Sequence, residues 1–218
     1  RYGNPKMEET LLSLKNKNCQ SLLVLPMFPQ YSGTTTGSIF DEVSRVLSKW
    51  RWVPKLNFVN SYHDNEGYIL ALAQSLRERI TNKSPDKIVF TYHGIPQRNF
   101  DLGDPYYCFC QKTTRLVAEK LKLKEDQYIT TFQSRFGRAE WLKPYTSETM
   151  EELPSLGVKN ILVIAPAFSV DCLETIEEID EENKEIFMKA GGNDFEYCLL
   201  YTSDSADDVR CVDNGGRR

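Results

Sequence analysis

A histidine and three regularly spaced glutamates are the residues of this sequence best suited to chemistry. His93 follows the apolar run 87–92, and it is one of only two histidines in the chain. Glu174, Glu178 and Glu182 are spaced by four residues, which places them on one face of an α-helix. Like charges at that spacing cost roughly 0.2–0.5 kcal/mol for each pair, so we expect a cationic group beside them. A neutral imidazole accepts and releases protons near neutral pH, which suits proton transfer.

Each of these residues also has a purely structural explanation. His93 could cap the turn that the following Gly-Ile-Pro indicates. Glu174 suits a helix N-terminus, because the helix dipole favours a carboxylate there. That effect fades after the first turn, so it does not account for Glu178 and Glu182. The second histidine, His63, fits a surface or capping position better than a catalytic one.

Alternating strand and helix patterns must position these residues. Short β-branched or apolar runs predict strands at Ser21 to Pro26, Leu56 to Ser61, Lys87 to Tyr92, Gln127 to Phe132 and Asn160 to Ala165. Helices are predicted at Glu8 to Lys17, Ser38 to Trp50, Glu66 to Thr81, Pro105 to Leu121, Ser147 to Leu156 and Asp171 to Met188. Such alternation predicts an α/β fold, a parallel sheet with helices on both faces. The carboxyl ends of parallel strands converge at one edge, so the histidine and the glutamate helix can meet there.

Two loops that follow predicted strands have unusual compositions. Residues 26–38 are rich in hydroxyl groups and glycine, so they could hold an anion at the next helix or simply cap that helix. Residues 133–145 contain two arginines, a lysine and three aromatic residues. This composition fits a flat aromatic ligand with acidic substituents, unless Trp141 and Tyr145 only pack against the domain.

Composition narrows the functional class. The chain has 218 residues, of which 40% are hydrophobic and 27% charged, which is typical of one or two globular domains. The net charge is −4 and the basic residues are scattered, so we expect no nucleic-acid partner. No apolar run approaches the roughly 18–20 residues of a transmembrane helix. We therefore expect a cytoplasmic protein, with peripheral membrane contact left open. The six cysteines show no CxxC pair, which favours free thiols.

Five motifs, in order along the chain, resemble those of the ferrochelatase family, whose members insert ferrous iron into a porphyrin to form haem. They are Pro-Gln-Tyr-Ser-Gly-Thr-Thr-Thr-Gly-Ser, Tyr-His-Gly-Ile-Pro, Gly-Asp-Pro-Tyr-Tyr, Phe-Gln-Ser-Arg-Phe-Gly-Arg with Trp-Leu-Lys-Pro-Tyr-Thr, and Asp-Cys-Leu-Glu-Thr-Ile-Glu-Glu. The resemblance runs from residue 1 to about Tyr197. It implies the class II chelatase fold, in which two flavodoxin-like α/β halves hold the porphyrin between them.

The resemblance also implies roles for individual residues. His93 and Glu174 resemble the family's catalytic and metal-binding pair, and Glu178 and Glu182 resemble carboxylates that continue away from that pair. The residues that resemble porphyrin contacts are Arg1, Tyr2, Tyr31, Trp141 and Phe168. Imidazole with carboxylate is a suitable transient ligand set for Fe²⁺, which is a substrate here and not a tightly bound cofactor. Aromatic walls can bend the macrocycle and expose its nitrogen lone pairs.

The resemblance is incomplete at both ends of the chain. The first residues resemble a segment that lies well inside the family's proteins, so we expect residues 1–20 to be the remnant of a first half-domain. We assign residues 21–188 to the chelatase α/β domain and 189–197 to the start of the family's last strand. Residues 198–218 resemble translated sequencing-adapter read-through, and we expect a foreign or disordered tail there.

Gly33 stands where some relatives carry a cluster-ligating cysteine, and the family's C-terminal cysteines are not matched. We therefore expect no iron–sulfur cluster.

Two other functions compete with ferrochelatase activity. A sister chelatase that inserts cobalt or iron in corrin or sirohaem synthesis would share the fold, but such enzymes usually lack the Trp-Leu-Lys-Pro-Tyr segment that is present here. A non-catalytic porphyrin-binding fragment would tolerate the loss of His93 or Glu174, and both are present. The expected substrate is protoporphyrin IX, with coproporphyrin III left open.

Overall fold

The computed structural model describes residues 3–199. The α-helices are Met7–Asn16 (α1), Ser38–Leu47 (α2), Glu66–Lys83 (α3), Gln97–Asp101 (α4), Tyr106–Leu121 (α5), Thr146–Glu152 (α6), Leu173–Thr175 (α7) and Lys184–Lys189 (α8). The strands are Ser21–Val24 (β1), Lys55–Phe58 (β2), Lys87–His93 (β3), Tyr128–Gln133 (β4), Asn160–Ile164 (β5) and Asp194–Tyr197 (β6). Two π-helical segments, Gly33–Gly37 and Ile176–Asn183, directly precede α2 and α8, and short 3₁₀ turns cover Glu125–Gln127 and Leu153–Leu156.

The strands of the described residues form two parallel sheets. One sheet pairs β1 with β2, and the other has the order β4-β3-β5-β6. The predicted α/β fold with parallel strands and flanking helices is therefore confirmed. The alternation of strands and helices did not reveal that β1 and β2 lie in a sheet of their own. The domain boundaries given above stay a prediction.

Strand β3 lies inside the four-stranded sheet and is buried on both faces. Five consecutive residues of β3, from Ile88 to Tyr92, are buried. Phe90 and Tyr92 belong to a core that includes residues of α3 and α5, whereas Val89 belongs to a second core that includes residues of β5, α6 and α8. A strand with helices over both faces needs a continuous apolar sequence, and this explains the run that precedes His93.

The helix predicted at Asp171 to Met188 is wrong as a single α-helix. It is divided into α7, the π-helical segment Ile176–Asn183 and α8. The Asn183 side-chain amide donates to the carbonyl of Glu178, five residues earlier, at 2.6 Å. This contact matches the i→i+5 spacing of the π-helix. The three glutamates therefore do not lie along one face of a regular α-helix.

The expectation that His63 is a surface or capping residue is also wrong. Its side chain is buried, and its ring stacks on Phe109 with the two ring centroids 3.7 Å apart. Burial lowers the pKa of His63, an effect that the carboxylate of Asp64 opposes and the ammonium of Lys112 reinforces. No local sequence pattern indicated this burial, because Phe109 lies far along the chain on α5.

The burial of His63 predicts a pH-dependent stability. The pKa of His63 is lower in the folded state than in the unfolded state. As the pH falls through about 6.5, His63 therefore binds a proton in the unfolded chain before it does so in the folded chain, which favours unfolding. Stability should therefore decline from about pH 7.5 to pH 5.5. His63→Phe keeps a stacked ring without a titrating group, so it should show a smaller decline when both proteins are unfolded with urea at the two pH values. Equal declines would contradict this role of His63.

Candidate functional site

A cavity of about 410 Å³ lies at the carboxyl end of β3. Its walls come from the loop after β1, the end of β3, the loop after β4 and the segment that leads into α7. The residues that line it are Phe28, Gln30, Ser32, Thr34, Thr35, His93, Gly94, Ile95, Pro96, Tyr106, Trp141, Ala167, Phe168 and Glu174. The loop after β1 belongs to the part of the fold built on β1 and β2, whereas the other walls belong to the part built on β3 to β6. We call these parts the smaller half and the larger half, and the cavity lies between them.

His93 is the last residue of β3 and lines this cavity. Its Nδ1 atom lies 2.7 Å from the carbonyl oxygen of Gly94. A carbonyl can only accept a hydrogen bond, so in the neutral ring Nδ1 carries the proton and Nε2 keeps its lone pair. The Tyr106 hydroxyl donates to the His93 carbonyl at 2.9 Å and fixes the main chain there. The local structure therefore prepares Nε2 to accept a proton.

Glu174 lies in the short helix α7 and lines the same cavity as His93. The pKa of its carboxyl group is below the ordinary value, chiefly because the Cys172 thiol donates a hydrogen bond to it. The backbone N–H of Glu174 and the positive charge of protonated His93 lower the pKa further, while partial burial opposes them. Glu174 is therefore an anion at neutral pH, on the same cavity as the imidazole of His93.

The other two glutamates line a separate cavity of about 220 Å³, together with residues of the loop after β4. The Ser134 backbone N–H donates to the carboxylate of Glu178 at 2.6 Å, and the Ser134 hydroxyl donates to its other oxygen. The structure therefore brings Glu174 to His93 and separates Glu178 and Glu182 from them. Within residues 3–199, no group of three or more histidine, cysteine, aspartate or glutamate side chains is close enough to hold a metal ion.

Trp141 and Phe168 contribute aromatic surface to the first cavity. The rings of His93 and Trp141 have centroids 6.5 Å apart. A Cβ atom on Gly94 would stand 2.8 Å from the Gln133 carbonyl oxygen and 3.1 Å from the Trp141 ring. Only glycine allows the strand end and the indole to approach this closely.

The hydroxyl-rich loop after β1 is held by a carboxylate that the sequence analysis did not single out. Asp104 accepts hydrogen bonds from the Ser32 hydroxyl and the Gly33 N–H, both at 2.8 Å, and from the Tyr106 N–H at 3.0 Å. Ser32 also accepts a hydrogen bond from the Thr34 N–H, so the loop does have a capping role. Asp104 lies in the Gly-Asp-Pro-Tyr-Tyr motif, and that motif could have indicated its importance.

Among the expected porphyrin contacts that the structure describes, Trp141 and Phe168 line this cavity and Tyr31 does not. The Tyr31 hydroxyl lies close to Gly37 on the same loop. Arg1 and Tyr2 lie outside the described residues. Gln30 and Gln133, two buried amides near the site, lie in the motifs Pro-Gln-Tyr-Ser and Phe-Gln-Ser-Arg, but they were missed because their burial and contacts depend on segments that are distant in the sequence.

The fold is that of the class II chelatases. The structure of SirB from Bacillus subtilis with Fe³⁺ superimposes with a TM-score of 0.67, covering 92% of this chain and 73% of that one at 15% sequence identity. At this identity the likeness describes the fold alone.

The sequence comparisons identify the family. The family model of ferrochelatase matches residues 1–206. Ferrochelatase from Hydrogenovibrio crunogenus is 57% identical over 198 residues, which cover 90% of this chain and 52% of that protein. Ferrochelatase 2 from Shewanella oneidensis is 51% identical over 215 residues, which cover 98% of this chain and 65% of that protein. The chain belongs to the ferrochelatase family, which confirms the resemblance drawn from the five motifs.

The chain spans between about half and two thirds of the length of these relatives. The family match extends past Tyr197, the residue at which the resemblance drawn from the sequence ended. It reaches residue 206, which lies outside the residues that the structure describes. The assignment of residues 198–218 to a foreign tail stays a prediction. Among residues 3–199, no helix is both long and apolar enough to cross a membrane.

The close approach at Gly94 predicts a destabilising substitution. Gly94→Ala should lower the free energy of unfolding by about 1–3 kcal/mol, the usual cost of overpacking, because the neighbouring carbonyl belongs to the backbone and cannot turn away. Urea unfolding measures the change. Gly67→Ala is the matched control, because its Cβ would meet only the Asn65 side chain at 3.3 Å. Equal effects of the two substitutions would show that the site tolerates a methyl group.

Proposed function

We propose that the protein to which this chain belongs inserts Fe²⁺ into protoporphyrin IX and so forms haem. The observation that best supports this activity is that His93 and Glu174 line one cavity together with Trp141 and Phe168. A proton acceptor, an anionic ligand and aromatic walls are the groups that metal insertion into a flat macrocycle needs. Membership of the ferrochelatase family supports the same reaction.

His93 serves as the proton acceptor in this proposal. Two pyrrole N–H protons must leave the macrocycle when the metal enters, and a neutral imidazole can take them one at a time and pass them to solvent. The contact between Nδ1 and the Gly94 carbonyl keeps the ring in the tautomer that leaves Nε2 available. The Tyr106 hydroxyl holds the strand end that carries the ring.

Glu174 serves as the anionic partner of His93. Its lowered pKa keeps the carboxylate charged, so it can replace a water molecule on Fe²⁺ and stabilise the imidazolium that forms when His93 is protonated. Two ligands hold the metal loosely enough for the porphyrin nitrogens to take it. This accords with the absence of a metal-holding group of three or more such side chains among the described residues.

Glu178 and Glu182 give a second carboxylate position for the metal, on the far side of the loop after β4. The Ser134 N–H and hydroxyl each donate to one oxygen of Glu178, and each oxygen keeps a second lone pair that can bind a cation. We propose that these carboxylates bind iron outside the porphyrin cavity. The assignment of Arg1, Tyr2 and Tyr31 to porphyrin binding stays a prediction, as do a cytoplasmic location and the lack of a nucleic-acid partner.

Insertion of a metal in corrin or sirohaem synthesis is less well supported. The likeness to SirB is one of fold. The Trp-Leu-Lys-Pro-Tyr segment is present and its tryptophan lines the cavity, which favours the haem branch.

The activity can be tested in a protein that joins this chain to the remaining segments of the Hydrogenovibrio crunogenus relative. Absorbance spectra should show insertion of Fe²⁺ or Zn²⁺ into protoporphyrin IX. His93→Ala should lower the rate by about 10²–10⁴-fold, the usual contribution of a general base. His63→Phe replaces the other histidine, which lies outside the cavity, and should leave the rate unchanged at pH 7.5.

The outcomes separate the competing functions. Insertion that persists in His93→Ala would assign the proton acceptor to another group. Porphyrin binding without insertion, in a joined protein that circular dichroism shows to be folded, would favour a non-catalytic binder.

We also propose that the chain holds no iron–sulfur cluster. Gly33 occupies the loop position where a cysteine would be needed, and a Cβ there would meet the Asp104 carboxylate at 3.6 Å. A thiolate beside that carboxylate would suffer charge repulsion. Assays of iron and acid-labile sulfide on anaerobically purified protein should find no sulfide, and stoichiometric sulfide would contradict the proposal.

A further inference from the structure

Gln133 connects the two residues on which the proposed function depends. It is the last residue of β4, it is 3% exposed, and its Cα pairs with that of His93 in the sheet register. Its side chain spans from Thr91, on β3, to Glu174, on α7. The Thr91 hydroxyl donates to Gln133 Oε1 at 2.9 Å, and Gln133 Nε2 donates to the Glu174 carbonyl at 3.1 Å.

The chemistry of its partners fixes the orientation of this amide. The Glu174 carbonyl can only accept, so the N–H side of the amide must face it. The amide oxygen then faces Thr91, whose hydroxyl can donate. That hydroxyl is also within 2.8 Å of the Thr146 hydroxyl, which lies 3.0 Å from the hydroxyl of Thr131. These groups are buried, so the amide is anchored in the interior of the sheet.

The backbone of Gln133 also holds the strand end that carries His93. Its carbonyl accepts a hydrogen bond from the Gly94 N–H at 2.8 Å. One residue therefore contacts the main chain next to the imidazole and the main chain of Glu174.

Helix α7 is short, and further hydrogen bonds hold its two ends. It has three residues, and Leu173 is 74% exposed. On its N-terminal side, Asp171 accepts hydrogen bonds from the Thr175 hydroxyl at 3.1 Å and from the Tyr197 hydroxyl at 2.9 Å. These contacts tie Thr175 and the N-terminal side of α7 to Asp171, and the Cys172 thiol donates to the carboxylate of Glu174, whereas the amide of Gln133 holds the main chain of Glu174. The amide lies just before the π-helical segment begins at Ile176.

We propose that Gln133 is a positioning residue that holds Glu174 on the cavity beside His93. That Gln133 fixes the position of Glu174 follows from the hydrogen bonds alone. That this position matters for catalysis rests on the proposed function of His93 and Glu174. Gln133 need not touch the porphyrin or the metal. It acts by setting where the carboxylate of Glu174 stands when the metal arrives.

The structural part can be tested on this chain alone by hydrogen–deuterium exchange. Gln133→Leu keeps the volume of the side chain and removes both hydrogen bonds. The amides of residues 173–178 should exchange at least several-fold faster, while those of β1 and β2 stay unchanged. Gln97→Leu, on α4, removes a hydrogen bond to Asp101 and should leave residues 173–178 unaffected. Unchanged exchange at residues 173–178 in Gln133→Leu would overturn the proposal.

The catalytic part is measured in the joined protein described above. Gln133→Leu should lower kcat for Zn²⁺ insertion by about 10–100-fold, the scale of a misplaced group, with the KM for porphyrin changed less than about twofold. In a Glu174→Ala background it should cost little more, because no carboxylate is left to position. If Gln133→Leu lowers kcat by the same factor of about 10–100 in the Glu174→Ala background, the catalytic role of Gln133 is overturned.

Failure of the proposed function gives a different pattern. If His93→Ala and Glu174→Ala leave insertion intact, the assignment of the metal and proton sites is wrong. Faster exchange at residues 173–178 in Gln133→Leu would then still support the structural role of Gln133. Normal exchange together with normal kinetics in Gln133→Leu would overturn the inference while leaving the function of His93 and Glu174 in place.

Discussion

The parallel pairing of β3 with β4 is the interaction on which the rest of the site depends. It aligns His93 with Gln133, so that both strands end at the same level of the sheet. Beyond this point the backbone turns away on each strand, and the two turns are joined by the hydrogen bond from the Gly94 N–H to the Gln133 carbonyl. Shifting one of the two strands by one residue would turn its side chains to the opposite face, so His93 and Gln133 would no longer lie side by side on the same face.

Hydrogen bonds join the two halves of the fold across the cavity. Asp104, from the larger half, binds the loop after β1. Gln30, on that loop, donates to the Thr113 hydroxyl on α5 at 3.1 Å, and Ser169 donates to the Met27 carbonyl at 3.0 Å. Hydrogen bonds define distance and direction more strictly than apolar packing does, so they hold the cavity walls at a fixed separation. The apolar cores lie behind these walls, inside each half.

The sequence predicted the features that arise from local patterns. All five predicted strands exist, each within a few residues of its predicted bounds, because a short β-branched run indicates a strand wherever it lies. The π-helical segment was missed, since glutamates four residues apart fit an α-helix equally well. The burial of His63 depends on Phe109, and the role of Gln133 depends on the pairing of β4 with β3. Both are contacts between distant segments that no local pattern reports, whereas the placement of His93 followed from its position at a strand end.

The two-stranded sheet has a consequence for handling the chain on its own. Among residues 3–199, β1 and β2 pair only with each other, so each has an outer edge of backbone groups that no strand covers. Leu23, on β1, is 69% exposed on the face away from the core residue Leu22. Unpaired parallel edges beside an apolar side chain readily accept a strand from another molecule. We therefore expect self-association of the isolated chain to begin at this edge.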